Sequence, residues 1–153
     1  MSFNLDEIDK RILAALSQNA RMPVAEIARR VSLSKTPVQA RLKRLEDNGV
    51  ILGYRAQIDP VRLGREHVAF VEVKLSDTRE KALAAFNDAV LAVPEIEECH
   101  MIAGAFDYLL KVRTEDITRY RQVLGESVSS LPHVAQTATH VAMEAVKDVT
   151  FVT

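Results

Sequence analysis

From Leu5 to Leu45 the apolar side chains recur at intervals of three and four, and beyond His67 they gather into short β-branched runs that alternate with two further helical stripes. Leu5, Ile8, Ile12 and Leu16 share one helical face, and Asn4 followed by Glu7 has capping-box spacing, so a helix is predicted from about residue 5 to residue 18. The segment NARMP interrupts it, and Pro23 suits the first turn of a second, short helix whose apolar face is Val24, Ile27, Ala28 and Val31. A third helix is predicted from about 35 to 48: Ser34 stands at the N-cap, Val38, Leu42 and Leu45 face inward, and Gly49 after Asn48 stops it. Only Ser32, Leu33 and Ser34 separate the second helix from the third, which is helix-turn-helix spacing, with small Ala28 allowing close approach and Leu33 plugging the turn.

The remainder reads strand, helix, strand, strand, helix, strand. HVAFVEVKL (67–75) is a strand whose near-continuous apolar character implies burial on both faces. Leu83, Phe86, Val90 and Val93 form a helical stripe ended by Pro94; IEECHMIA and FDYLLKVR are extended runs joined near Gly104; Ile117, Tyr120, Leu124 and Leu131 mark a second helix that stops before Pro132. The last strand is predicted at THVAMEAV (139–146), with Val141, Met143 and Ala145 on one side. The order βαββαβ is the ferredoxin-like split unit, so the fold class is α+β. The predicted organisation is a helix-turn-helix domain over 1–50, an extended linker over 51–64 containing Asp59-Pro60 and Gly64, and a βαββαβ domain over 65–153. Both helices on one face of a four-stranded sheet leave the other face bare and partly apolar, which predicts a homodimer through the second module.

Charge sharpens this division. Residues 1–55 carry ten Lys/Arg against six Asp/Glu, a net +4, whereas the rest carries ten against fifteen, a net −5, within a total of −1. Residues 20–45 hold seven basic groups and one acid, Glu26, where a merely solvated helix would mix signs. With Val38, Leu42 and Leu45 inward, Lys35, Thr36, Gln39 and Lys43 project outward together, flanked by Arg41 and Arg44: a donor-rich face of the size that enters a DNA major groove. Thr36, Gln39 and Lys43 are the candidates for base edges, and Arg30, Lys35, Arg41 and Arg44 for phosphates, with Ser34 at the helix start. Duplex DNA is favoured over RNA because A-form RNA hides its major groove and no aromatic stacking motif is present. A dimer would set two such helices one helical turn apart.

The four histidines are scattered, Cys99 is the single cysteine, and Glu97, Glu98, Cys99 and His100 on one strand would point to alternate faces, so no metal site and no cofactor are expected. With no apolar run near 18 residues and no signal-peptide pattern, the expectation is a cytoplasmic protein without a membrane partner.

The segments LDEIDKRIL, ARMPVAEIARRVSLSKTPVQARLKRLEDNGVILGYRAQIDP, EECHMIAGAFDYLLKV and LPHVAQTATHVAMEAVK, in this order and spacing, resemble the Lrp/AsnC family of leucine-responsive and asparagine-synthesis regulators over essentially the whole chain. The resemblance implies a winged or plain helix-turn-helix domain followed by an amino-acid-sensing domain. It implies dimers that assemble into octamers or larger rings, small effectors, usually amino acids, bound between dimers, and control of amino-acid metabolism genes. Carried over by position, it implies an effector site of Met101, Gly104, Asp107, Tyr108, Ile117, His140 and Val141. Gly104 would free backbone amides for a carboxylate and Asp107 would pair with an α-ammonium. The chain departs from leucine-type members at Ala105, where they tend to carry an acid, and at His140, where they tend to carry an aromatic ring, so leucine is not assumed and proline is one candidate. Siroheme decarboxylases share the two-module plan and supply an enzyme alternative, and a sensor without DNA binding is another; the basic third helix argues against both.

Overall fold

The computed structural model describes residues 4–148. The chain divides between Gln57 and Ile58 into two compact units, the second ending at Val146.

The first unit contains α1 (Glu7–Gln18), α2 (Val24–Val31) and α3 (Lys35–Asp47). Its core is Ile12, Ala15, Ile27, Ala28, Val31, Val38 and Leu45, with Leu5, Ile8, Leu16, Leu33 and Leu42 packed against it, which are the faces that the periodicity marks. The start of α1 differs from expectation. Asp6, rather than Asn4, is its N-cap: the Asp9 amide donates to the Asp6 carboxylate and the Asp6 amide donates back to Asp9, a capping box shifted two residues onward. A carboxylate is a stronger acceptor than an amide oxygen and complements the positive end of the helix dipole, which favours Asp6 over Asn4. Between α2 and α3, Ser32 takes the left-handed conformation (φ 58°) and Leu33 donates its amide to Ala28, closing the tight turn.

The second unit contains β1 (His67–Leu75), α4 (Glu80–Leu91), β2 (Ile96–Met101), β3 (Tyr108–Thr114), α5 (Ile117–Val123), which continues into one π-helical turn (Leu124–Val128), and β4 (Val134–Val141). The sheet order is β2-β3-β1-β4 with all neighbours antiparallel. Phe86 and Val90 of α4 and Tyr120 and Val123 of α5 pack with Ala69, Val71, Val73, Leu110 and Val112 in one core, so both helices cover the same face.

Two expectations are corrected here. Strand β1 is buried mainly on one face in this chain: Ala69, Val71, Val73 and Leu75 are buried, whereas on the other side Phe70 and Lys74 are exposed, Glu72 is half-buried and only Val68, at the strand's start, is buried. A β-branched run can therefore alternate in burial even where its composition does not alternate. The last strand lies five residues earlier than 139–146. Its register against β1 matches Leu75 with Val134 and Ala69 with Val141, and the Ala142 amide still reaches Val68; beyond that β1 has ended, and Met143 and Val146 are fully or almost fully exposed.

Candidate DNA-binding face and effector site

On α3 the inward positions Val38 and Leu45 are fully buried, which fixes the rotation of the helix. Lys35, Thr36, Gln39 and Lys43 are all exposed, as the spacing predicts. Ser34 occupies the N-cap position without a side-chain hydrogen bond to the helix. Lys43 pairs with Asp47 one turn on, at 2.9 Å, an exposed bridge that raises the Lys43 pKa above its ordinary value. Arg30 on α2 shares the Glu26 carboxylate with Arg29.

Arg41 and Arg44 are placed differently from a simple flanking role. Asp9 of α1 is completely buried; its carboxylate accepts from Arg41 Nη1 at 2.7 Å and from Arg44 Nη2 at 2.5 Å. Arg41 also donates to Asp6 at 2.6 Å, and the guanidinium is held above its usual pKa by Asp6 first and Asp9 second. The Asp6 carboxyl is in turn held below its usual value by the Asp9 amide, then by Arg41. Sequence spacing alone overlooks Asp9. The available signal is an acid set three residues before Ile12 and seven before Leu16, inside an apolar stripe.

The residues assigned to an effector fall into two groups at opposite ends of the sheet. Met101, Gly104, Asp107 and Tyr108 surround the β2–β3 connection, next to Val73. Asp107 is locked into the sheet end: its amide donates to Val73, and its Oδ2 accepts the Leu75 amide at 2.7 Å, beside the β-bulge at Lys74/Leu75. Between these anchors the amides of Ala103, Gly104, Ala105 and Phe106 donate no hydrogen bond among the described residues. Tyr108 is buried against Phe86 on the helix-covered face and donates its hydroxyl to Asn87 at 2.8 Å; burial pushes its pKa up, so it stays a neutral phenol. With Met101, Val90, Leu91 and Cys99 they line a mainly apolar cleft of about 310 Å³.

Ile117, His140 and Val141 lie at the other end, where Thr114 pairs with His67 and Val141 with Ala69. Neighbouring strand residues point to opposite faces, so His140 sits on the open face with Nε2 3.2 Å from Glu72, while Val141 faces the helices. Val73 and Ala69 are four residues apart on β1, about 13 Å, so the two groups lie toward opposite ends of the sheet in a single chain. Among the described residues no three His, Cys, Asp or Glu side chains converge as a metal site would require.

Two known domains match the chain. Residues 5–51 match the winged helix-turn-helix DNA-binding family, and residues 68–151 match the Lrp/AsnC ligand binding domain. The chain belongs to the Lrp/AsnC family. It is 63% identical over 145 residues to a proline dehydrogenase transcriptional activator of Rhizobium radiobacter, covering 95% of this chain and 93% of that one. It is 44% identical to the leucine-responsive regulatory protein of Escherichia coli K12, covering 94% and 88%. A transcriptional regulator from Neisseria meningitidis, solved as a complex with L-Met, has the same fold with a TM-score of 0.89, 29% identity and coverage of 98% and 97%. This Lrp/AsnC chain is thus a DNA-binding transcriptional regulator with a small-molecule ligand-binding domain, and the relatives are regulators rather than enzymes. No helix among its described residues is long and apolar enough to cross a membrane.

Proposed function

We propose that this regulator reads duplex DNA with the exposed face of α3 and senses an amino acid, with proline as the first candidate, to control genes of amino-acid breakdown. The observation that carries the DNA reading is the exposure of Lys35, Thr36, Gln39 and Lys43 on one face of a helix anchored by buried Val38 and Leu45. Thr36, Gln39 and Lys43 meet base edges, and Lys35, Arg30 and Arg44 meet phosphates. Proline is favoured because a 63% identical relative is named as the activator of proline dehydrogenase, and a regulator of a breakdown enzyme gains from sensing that enzyme's substrate.

The unengaged amides of 103–106 suit a carboxylate, and Asp107, whose Oδ1 is not used by Leu75, suits an ammonium group. The placement of the two groups at opposite ends of the sheet, about 13 Å apart along β1, supports an effector site completed by a second chain, with Met101, Gly104, Asp107 and Tyr108 from one copy and Ile117, His140 and Val141 from another. That arrangement favours assembly beyond a dimer, an octamer or similar ring. The test is binding of purified protein to duplex DNA from upstream of its own gene across a salt series, with and without each of proline, leucine and methionine at millimolar concentration. Salt-sensitive, specific binding shifted by proline supports the reading. A shift by another amino acid alone replaces proline as effector, and no preference over random duplex overturns the DNA reading.

A further inference from the structure

The basic residues of α3 are not equivalent, and a buried acid on another helix makes the difference. Arg41 and Arg44 are three residues apart, on the same side of α3, and both guanidinium groups end on the Asp9 carboxylate, which is wholly buried. That carboxylate also accepts the Asp6 amide at 3.2 Å, so it is tied to the N-terminal cap of α1 as well as to α3. The Arg41 side chain is only 25% exposed and is gripped by Asp6 and Asp9 together, whereas Arg44 remains 45% exposed. A carboxylate in this position does two things to a helix approaching a polyanion. It competes with phosphate for Arg41, and it fixes the direction of Arg44.

We propose that Asp9 is a positioning residue for DNA recognition, withdrawing Arg41 from the phosphate-binding set and aiming Arg44, so that α3 meets DNA with few mobile charges and relies on its base-reading donors. Asp9 does not touch DNA; it acts through the two arginines. This rests on the assignment of α3 as the DNA-facing helix. The consequence is specific to electrostatics: each phosphate newly neutralised adds about 0.9 to the steepness of log affinity against log salt, whatever the sequence. Non-specific affinity rises as Arg41 is released, and the margin between specific and random duplex narrows.

The experiment uses the full-length protein and two duplexes, one selected in vitro for tight binding to the wild type and one of scrambled sequence, each over a salt series. For Asp9→Asn, which keeps the side-chain shape and loses the charge, tighter binding to the scrambled duplex and a slope steeper by about one unit, from the release of Arg41, are expected, with a smaller specific-to-scrambled ratio. Unchanged slope and ratio in a folded Asp9→Asn protein overturn the proposal, as does weaker binding to both duplexes with no change of slope, the outcome of a purely structural role. If Asp9→Asn does not fold, Arg41→Met decides: an unchanged slope on both duplexes supports the proposal, and a slope shallower by about one unit shows Arg41 on a phosphate and overturns it. Gln39→Ala on the same duplexes separates this from the underlying assignment, because loss of discrimination confirms α3 as the reader independently of Asp9, and retained discrimination removes the reading on which the proposal stands.

Discussion

At the scale of single residues, the first unit has exposed ion pairs within single helices, such as Lys10–Glu7 and Lys43–Asp47, and pairs from Arg41 and Arg44 to Asp6 and Asp9 that tie α3 to the start of α1. Glu26 is an exposed example with a measurable signature. Hydrogen bonds from Arg29, then Arg30, hold its carboxyl down to about 2 against an ordinary value of 4.5. A depressed folded pKa means that the stabilising contribution is complete above about pH 4.5 and disappears as pH falls toward 2. Thermal unfolding across that window should therefore fall more steeply for the wild type than for Glu26→Gln, and added salt should shrink the difference because both partners are open to solvent. Parallel curves for the two proteins would mean that the pairing adds nothing. The chain's basic bias and the identity of Lys35, Thr36, Gln39 and Lys43 as outward groups are legible in the sequence, because helical spacing relative to Val38, Leu42 and Leu45 decides direction. The engagement of Arg41 and Arg44 with Asp9 is not, because it depends on a contact between residues more than thirty apart in the chain.

At the scale of elements, boundaries depend on local chemistry and on what lies alongside. Helix α3 ends as the sequence predicts: Gly49 adopts φ +67°, and its amide donates to Glu46 while the Val50 amide donates to Leu45. An added Cβ at Gly49 would meet no atom within 4 Å, so the penalty for Gly49→Ala comes from the left-handed backbone alone. The expected loss is about 1–2 kcal/mol in urea-induced unfolding with an unchanged denaturant slope; a neutral substitution would show that α3 can end in another conformation. Strand β4 is the opposite case. Its composition continues through Met143 and Ala145, yet pairing stops with β1, because strand ends are set by the neighbour that supplies hydrogen bonds.

At the scale of the whole molecule, the open face of the sheet carries Phe70 and Leu109 among Glu72, Lys74, Lys111 and His140. That mixture is more polar than the sequence alone suggests, though Phe70 remains 37% exposed in the single chain. If this face joins two copies, as the expected homodimer through the bare sheet face implies, Phe70→Asp should shift sedimentation velocity toward smaller species at micromolar protein. Thermal stability at high dilution should change little, since Phe70 lies outside the core formed with α4 and α5. A variant that sediments like the wild type would move the interface elsewhere.

The sequence by itself determined the three short helices, the βαββαβ order, the divided charge and the outward donors of α3, because helical and strand periodicity are local properties of the chain. It also carried enough ordered similarity to reach the family. Tertiary structure alone decided that Asp6 rather than Asn4 starts α1, that Asp9 holds two arginines of α3, that β1 is buried mainly on one face, that β4 ends at Val141, and that the expected effector residues lie in two groups toward opposite ends of the sheet. Each of these depends on which distant segment comes to lie beside a residue, and neither spacing nor composition specifies that neighbour.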